Sequence, residues 1–223
     1  MKGMLYIVAT PIGNLEDITV RAIRILKEVD LIVAEDTRVT KKLMTHYDID
    51  KHTLSYHQHS SERKRLEILS LLINGKNIVL VTDAGTPGIS DPGNELIDYL
   101  LDKDNNIKIV PIPGASAITT ALSVSGFKTN KFVFIGFLPK KKRSKLFKWL
   151  KEGKVTFAFY ESPKRILRSL KVLEEHTGTE TRVCVARELT KMHESLYRGK
   201  ICTVIEKLVK DTIKGEIVVV VEL

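Results

Sequence analysis

Three loops rich in glycine and proline follow predicted β-strands, and their composition suits them to hold a ligand. They span residues 9–15, 82–93 and 111–117. Glycine lets a backbone approach a ligand closely, and proline fixes a turn. Each loop could also be a simple turn, but the second spends three glycines, two prolines and two aspartates in twelve residues. Because ligands bind beyond the carboxyl ends of strands in open α/β sheets, we expect the loops to line one cleft.

Charged residues at the ends of other predicted strands are candidates for proton transfer. Glu35, Asp36 and Arg38 end a predicted strand beside the first loop, although an ion-pair network would also explain them. His59 could act as a base, because histidine side chains in general titrate near neutral pH, while a surface histidine is the default interpretation. Glu188 could serve as a base or could orient the neighbouring Arg187 in a salt bridge. The sequence alone does not choose among these candidates.

Several common catalytic signatures are absent from the sequence. It contains no GxxxxGK[ST] for a P-loop NTPase, no GxGxxG after the first strand for a Rossmann fold, and no GxSxG for an α/β-hydrolase. No cysteine and histidine spacing resembles a zinc site, so no metal is predicted.

The charge of the chain points to a polyanionic partner. The 223 residues carry a formal net charge of +9. Much of the excess lies in a basic run over residues 140–154, and basic surfaces bind nucleic acid by releasing its counterions. A solvated cationic helix is the alternative. The residues that we predict to contact nucleic acid are Lys140, Lys141, Lys142, Arg143 and Lys145, with Arg38, Lys41 and Lys42 as a second patch. Phe147 and Trp149 could stack on bases, but helical spacing places one of them in the core.

Short runs rich in Val, Ile, Phe and Tyr alternate with segments of helical period. The predicted strands cover residues 5–9, 31–35, 53–57, 78–82, 107–112, 132–137, 155–160, 183–187, 194–198 and 216–222. The alternation predicts an α/β fold with a mostly parallel first sheet. Consecutive strands late in the chain predict a hairpin and a mixed second sheet. Two prolines and a glycine near residue 112 suggest domains 1–112 and 113–223.

Helix boundaries follow from capping residues and periodicity. Asp17 or Thr19 is expected to cap a first helix that buries Ala22, Ile23 and Leu26. A helix over residues 62–74 is expected to bury Leu66, Leu69, Leu72 and Ile73 and to end at Gly75. Residues 163–176 predict another helix that ends before Gly178.

The expected setting of the chain follows from features that the sequence lacks. Two cysteines make no disulfide framework, and the N-terminus does not resemble a signal peptide. No apolar stretch approaches the roughly 20 residues of a membrane-spanning helix. We therefore expect a cytoplasmic protein with no membrane association.

An ordered set of short motifs resembles the tetrapyrrole methylase superfamily, and more narrowly its ribosomal RNA small subunit methyltransferase I branch. The matching blocks run through the whole chain at residues 6–19, 34–38, 83–93, 113–116, 136–139, 160–165, 186–191 and 214–216. The resemblance implies two α/β domains with S-adenosylmethionine (SAM) in a cleft between them, and a homodimer. It also implies methyl transfer to the ribose 2′-hydroxyl of a cytidine in the decoding region of the small-subunit (16S) rRNA. Motif matching places SAM against Pro11, Asp83, Gly85, Thr86, Ile89, Ala115, Ser116, Ala117, Phe159, Arg187 and Gly215.

Two departures and two rival functions accompany this resemblance. The family's His-x-His-Asn-Glu block reads His57-Gln58-His59-Ser60-Ser61 here, and many members extend past the last predicted strand. One rival is a small-substrate, tetrapyrrole-type methylase, against which the basic charge argues. The other is a non-catalytic RNA-binding protein, which would not need both intact glycine-rich loops. SAM binding would exclude the second rival, and transfer to RNA would exclude the first.

Overall fold

The computed structural model describes residues 2–139 and 143–223, which fold into two compact units, Met1–Ser116 and Ala117–Leu223. Each unit is a five-stranded sheet covered by helices on both faces. The predicted class, two α/β domains, is therefore confirmed. None of the helices in these described ranges is long and apolar enough to cross a membrane.

The sheet of the first unit is parallel throughout. Its strands are β1 (Met4–Val8), β2 (Leu31–Ala34), β3 (Thr53–Ser55), β4 (Ile78–Val81) and β5 (Lys108–Ile112). They lie in the order β3-β2-β4-β1-β5, and every neighbouring pair is parallel. All five carboxyl ends therefore meet at one edge of the sheet, as the sequence predicted.

Successive side chains along the buried strands point to opposite faces of the sheet, so the core of the first unit consists of two hydrophobic layers. Its helices are α1 (Val20–Glu28), α2 (Thr37–His46), α3 (Glu62–Ile73) and α4 (Asn94–Lys103). On β2, Leu31 and Val33 face α3 and α4, while Ile32 and Ala34 face α1 and α2. The helices change sides because the chain moves outward to β3 and then returns through β4 to β5, and parallel crossovers keep a right hand.

Local capping and periodicity account for most helix limits. The Thr19 hydroxyl accepts a hydrogen bond from the Ala22 amide at 3.0 Å and caps α1, whereas Asp17 lies in a preceding 3-10 turn. In α1 the buried residues are Ala22, Ile25 and Leu26, and the predicted Ile23 is only half-buried.

The predicted buried face of α3 was partly wrong. Ile68, Leu69 and Leu72 form the buried stripe, while Leu66 is 50% and Ile73 49% exposed. At about 100° per residue, the two exposed side chains lie roughly 100° from the centre of that stripe. They therefore project at the margins of the helix rather than into the core.

The second unit contains a mixed sheet. Its strands are β6 (Phe132–Phe137), β7 (Thr156–Glu161), β8 (Arg182–Arg187), β9 (Ser195–Lys200) and β10 (Ile217–Glu222), in the order β6-β7-β10-β8-β9. β6 and β7 run parallel, the other neighbouring pairs are antiparallel, and β8 and β9 form the predicted hairpin.

Helices described in the second unit pack on both faces of its sheet. They are α5 (Ala117–Ser125), α6 (Arg143–Gly153), α7 (Ile166–Thr177) and α8 (Ile201–Val209). α6, α7 and α8 bury an apolar core that includes Phe147, and α5 packs against β7, β8 and β10. Trp149 is 59% exposed, so of the two aromatic residues in the basic run Phe147 is the core residue.

Candidate functional site

The three glycine-rich loops of the first unit are hydrogen-bonded to one another. Thr10 and Gly85 form a two-bond bridge, in which the Thr10 amide donates to the Gly85 carbonyl at 2.9 Å and the Gly85 amide donates back at 3.0 Å. The Thr10 hydroxyl also donates to the Thr82 carbonyl at 3.2 Å, and the Thr86 hydroxyl donates to the Ala115 carbonyl at 3.1 Å. These bonds fix the three loops at one edge of the sheet, as predicted.

Glycine is required where these loops approach one another. At Gly85 the requirement comes from the backbone, which has φ +84°; a Cβ there would make ordinary van der Waals contacts, 3.4 Å from Ile12 Cγ2 and 3.7 Å from the Ala115 carbonyl oxygen. A Cβ on Gly114 would lie 3.0 Å from the Cβ of Ala9. Close beside the bridge, the Thr82 hydroxyl is buried with no hydrogen-bond partner among the described residues, although buried hydroxyls are normally paired.

The other residues of this unit that are predicted to bind the ligand lie close in sequence to the three loops. Pro11 is buried beside Ile12, while Ile89 is 42% exposed and follows the Gly85 turn. Ser116 is half-buried and immediately precedes α5, whose first residue is Ala117.

Three carboxylates converge where β2 and β4 end. The Asp36 amide donates to Asp83 Oδ1 at 3.0 Å, and the Asp83 amide lies 3.5 Å from Glu35 Oε2. Burial raises the pKa of Glu35, and the nearby Asp83 charge raises it further. Burial likewise raises the pKa of Asp83. A carboxyl with a raised pKa is better suited to accept a proton near neutral pH.

Asp36 and Arg38 are engaged with each other. Asp36 caps α2 by accepting the Arg38 amide at 2.8 Å, and the Arg38 guanidinium donates to its carboxylate at 2.6 Å. The hydrogen bonds from Arg38 lower the pKa of Asp36 to about 2, which makes it a weak base. Of the three charged residues predicted at this strand end, Glu35 therefore remains the best candidate base.

The loop after β3 contains the predicted histidine. His59 is exposed, and its amide donates to His57 Nδ1 at 3.2 Å. Ser60 accepts the His57 amide at 2.9 Å, and Ser61 occupies the N-cap position of α3. The Ser60 side chain thus has a local structural role, whereas the Ser61 side chain makes no capping hydrogen bond; the family pattern has Asn and Glu at these two positions.

One predicted SAM residue of the second unit has no side chain available to a ligand. Phe159 is fully buried in the core under α6, α7 and α8, with its ring stacked 6.2 Å from that of Phe157. Alternation along β7 turns residues 157 and 159 toward this helical layer, which residue type alone did not reveal. Only the Phe159 backbone could contact a ligand.

A backbone hydrogen bond and an ion pair hold the Glu188 carboxylate in place. Its carboxylate accepts the Glu216 amide at 2.8 Å and pairs with Lys191 at 2.9 Å. Burial opposes ionisation of Glu188, but these partners outweigh it and the net pKa is lowered. Gly215 has φ +84°, and a Cβ there would fall 2.2 Å from Glu188 Cδ. This arrangement suits a structural role for Glu188 rather than a role as a base. Separately, Arg187 Nε donates a hydrogen bond to the Ser195 hydroxyl at 2.9 Å.

The predicted RNA contacts differ in their availability. Lys41 and Lys42 are exposed on α2, and Lys145 is exposed on α6. Arg143 is half-buried, because its guanidinium donates to Ser169 at 2.8 Å and lies 4.0 Å from the buried Glu161. Lys140, Lys141 and Lys142 lie outside the described residues.

The buried carboxylate of Glu161 was not among the predicted site residues. It ends β7 with 2% exposure, lies 3.0 Å from Arg165 Nε, and accepts the Ser169 hydroxyl at 2.5 Å. A glutamate at the end of an apolar strand with arginine four residues later is a sequence signal that would have found it.

A second feature extends the predicted basic surface. A depression of about 900 Å³ in the second unit is lined by the cations Lys128, Lys131, Lys151, Lys154 and Arg182 and also by Glu180 and Glu222, of which Glu222 pairs with Arg182. Lys151 and Lys154 belong to the basic run, whereas the other cations come from β8 or from the segment before β6. The fold thus joins the end of the run to cations that are distant in sequence.

Solved structures share this fold of two α/β units. A cobalt precorrin-4 methyltransferase of cobalamin biosynthesis matches 98% of this chain and 94% of its own, with TM-score 0.74 and 19% identity. A uroporphyrin-III C-methyltransferase from Thermus thermophilus matches 99% and 92%, with TM-score 0.65 and 17% identity. The model of the tetrapyrrole (corrin/porphyrin) methylases matches residues 4–205. Fold and family model together define the class as a tetrapyrrole methylase.

Curated sequences narrow the class. Ribosomal RNA small subunit methyltransferase I of Thermotoga maritima is 48% identical over 98% of this chain and 97% of its own length. The proteins of that name from Synechocystis sp. and Bacillus subtilis are 48% and 47% identical, and the matches cover 78% and 75% of their lengths. The chain therefore belongs to the ribosomal RNA small subunit methyltransferase I family.

Membership makes the chain a methyltransferase whose methyl donor is SAM. The junction of the three loops fits such a ligand in its chemistry. It offers the Asp83 carboxylate for a cationic donor, and the buried Thr82 hydroxyl beside it has no hydrogen-bond partner among the described residues.

Proposed function

We propose that this protein methylates the ribose 2′-hydroxyl of a cytidine in the decoding region of small-subunit (16S) rRNA. The observation that carries the proposal is the hydrogen-bonded junction of three loops in a basic member of this family. A tetrapyrrole substrate would not require the net charge of +9. The basic charge instead suits a substrate with many phosphates.

When bound, SAM supplies a methyl group on a sulfonium that is already a good leaving group. The task of the chain is therefore to hold the donor and the hydroxyl in line and close together. In the first unit, Pro11, Gly85, Thr86, Ile89, Ala115 and Ser116 would hold the donor. Ala117, Arg187, Gly215 and the backbone of Phe159 are the corresponding proposals in the second unit.

We assign Glu35 as the base that receives the hydroxyl proton. Burial and the Asp83 charge raise its pKa, so that its carboxylate binds a proton more readily than an ordinary glutamate. Asp36 is held ionised by Arg38, and His59 is an exposed second candidate.

The pH dependence of SAM binding should report on Asp83. Its carboxylate attracts the sulfonium only when ionised, so SAM affinity should fall as the pH drops through the pKa of Asp83. Since partial desolvation raises that pKa, the decline should begin at a higher pH than for an aspartate with the ordinary pKa. Calorimetric titration from neutral to acidic pH should show this decline in the wild type and a flatter profile in Asp83→Asn. An equal slope in both proteins would remove Asp83 from the site.

Neutralising the start of the basic run should weaken RNA binding without affecting SAM. Lys140→Gln, Lys141→Gln and Lys142→Gln together should lower the slope of log affinity against log salt by about 0.7–0.9 for each phosphate that is no longer neutralised. Arg143 is left intact because it pairs with Glu161. The matched control replaces the exposed Lys171, Lys207 and Lys210 by glutamine. Equal loss of SAM affinity in the test variant would make the run structural.

We further propose a homodimer acting on the small subunit in the cytoplasm, as the resemblance implies. Sedimentation equilibrium at micromolar protein should give twice the chain mass of 25.2 kDa. A monomer at all concentrations would refute the dimer and leave the methyltransferase assignment intact.

The proposed substrate is tested by offering labelled SAM with alternative acceptors. Small subunits lacking ribose methylation in the decoding region should accept label, and uroporphyrinogen should not. The reverse pattern would transfer the assignment to a small-molecule methylase. Failure to bind SAM at all would favour the other rival, a non-catalytic RNA-binding protein.

A further inference from the structure

An exposed aromatic ledge lies at the carboxyl ends of β6 and β7. It consists of Phe134, Phe137 and Tyr160, with the Tyr160 ring 5.1 Å from that of Phe134 and 5.4 Å from that of Phe137. Phe137 is 60% exposed and belongs to the edge strand of its sheet. A large aromatic side chain held at the surface by other rings is typical of a contact surface.

A change of register in β6 creates this ledge. Phe134 pairs with Ala158 and Phe137 pairs with Tyr160, so a step of three residues along β6 matches a step of two residues along β7. Gly136, with φ +72°, supplies the backbone conformation within the irregularity. In a regular strand Phe137 would point to the face opposite Phe134. Instead the extra residue brings both rings against Tyr160, and bulges of this kind re-aim side chains beside functional sites.

Two arginine side chains hold the backbone that directly follows Phe137. The Arg165 guanidinium donates to the Leu138 carbonyl at 2.5 Å, and the Arg143 Nε donates to the Pro139 carbonyl at 2.8 Å. Both arginines also face the buried Glu161. Phe137 is thus pre-positioned, which lowers the entropy lost when a ligand packs on its ring.

Cations follow the residues of the ledge closely in sequence, at the edge of the sheet where β6 and β7 end. Lys145, Lys164 and Arg168 are exposed in or next to the first turns of the helices that follow β6 and β7. The sequence immediately after Pro139 is Lys140-Lys141-Lys142. Aromatic rings flanked by lysine and arginine are the combination by which proteins hold unpaired nucleotides, with bases stacked on rings and phosphates on cations.

We propose that Phe137 stacks on an unpaired base of the RNA substrate, with Phe134 and Tyr160 supporting its ring. The inference rests on the proposed function and deepens it. Proteins that act on individual nucleotides of structured RNA read bases that have left the helical stack, and stacking holds such a base in place. Phe137 is then a substrate-binding residue that positions the RNA, and it is not among the residues assigned to SAM.

The test compares RNA affinity among substitutions on one strand. The probe is an RNA hairpin with the sequence of the small-subunit decoding region. Phe137→Ala should weaken its binding by about 5-fold to 150-fold, the range given by loss of one stacked base, and Phe137→Trp should restore it. SAM affinity should not change. Phe132→Ala is the matched control, since Phe132 is 42% exposed at the other end of β6.

Removal of individual bases from the hairpin identifies the stacked one. At one abasic position, wild-type affinity should fall and Phe137→Ala should cause no additional loss, because both changes remove the same contact. Equal RNA affinity of Phe137→Ala and the wild type would overturn the inference alone. A lower oligomeric mass in Phe137→Ala would also overturn it, by making the ledge a contact between copies. A wild type that neither binds nor methylates RNA would overturn the proposed function itself.

Discussion

Gly85→Val should reduce SAM affinity at least about 100-fold, equivalent to roughly 2.7 kcal/mol. Gly85 has φ +84°, where a β-branched residue is strained, and its Cβ would lie 3.4 Å from Ile12 Cγ2 and 3.7 Å from the Ala115 carbonyl. The γ-methyl groups would occupy the space where the three loops meet and disturb the Thr10 bridge. Calorimetric titration with SAM measures the effect directly.

Gly126→Val separates backbone strain from loss of the site. Gly126 has φ +74°, and no described atom lies within 4 Å of the position of its Cβ. Both variants should lose about 1–2 kcal/mol of stability through the left-handed conformation, but Gly126→Val should keep wild-type SAM affinity. If Gly85→Val bound SAM as tightly as Gly126→Val, the loop junction would not be the donor site.

Glu161→Gln should destabilise the second unit by about 3–5 kcal/mol, the cost of leaving buried charges without their partner. The carboxylate is 2% exposed, lies 3.0 Å from Arg165 Nε and accepts the Ser162 amide at 2.9 Å. A glutamine of the same shape still accepts the Ser162 amide but leaves Arg143 and Arg165 without a counter-charge. Urea denaturation followed by tryptophan fluorescence reports on this unit, since Trp149 is the only tryptophan.

Glu206→Gln provides the control for this prediction. Glu206 is exposed on α8, and its replacement should change stability by no more than about 0.5 kcal/mol. Glu161→Gln should additionally speed amide exchange near Leu138, whose carbonyl Arg165 holds. Wild-type stability in Glu161→Gln would show that the arginines are solvated and that the ledge is not anchored as described.

Most strands could be predicted because they are short apolar runs between turn-forming residues. The run at residues 78–82 became Ile78–Val81, and the run at 132–137 became Phe132–Phe137 without change. The order of strands could not be predicted, because β4 enters between β1 and β2 from distant sequence. Leu66 was misplaced for a similar reason: helical period defines a stripe, but the surroundings decide how wide a stripe is buried.

Those parts of the candidate site that depend on local amino-acid composition could be predicted. The glycines and prolines of residues 82–93 indicate a built loop, and the structure joins that loop to Thr10 and Ala115. The orientation of Phe159 and the pairing of Arg143 were missed, because both depend on which face of the sheet the helices cover. The pKa difference between Glu35 and Asp36 likewise arises from burial and from Arg38, not from residue type.

The central claim, SAM-dependent methylation of an rRNA ribose, is tested most directly by alkaline hydrolysis of the labelled product. Cleavage by alkali requires a free 2′-hydroxyl, so a 2′-O-methylated cytidine remains in an uncleaved dinucleotide. Small subunits lacking ribose methylation in the decoding region, incubated with the protein and labelled SAM, should yield one labelled dinucleotide that begins with cytidine. Label released as a mononucleotide would show methylation of a base and would contradict the account.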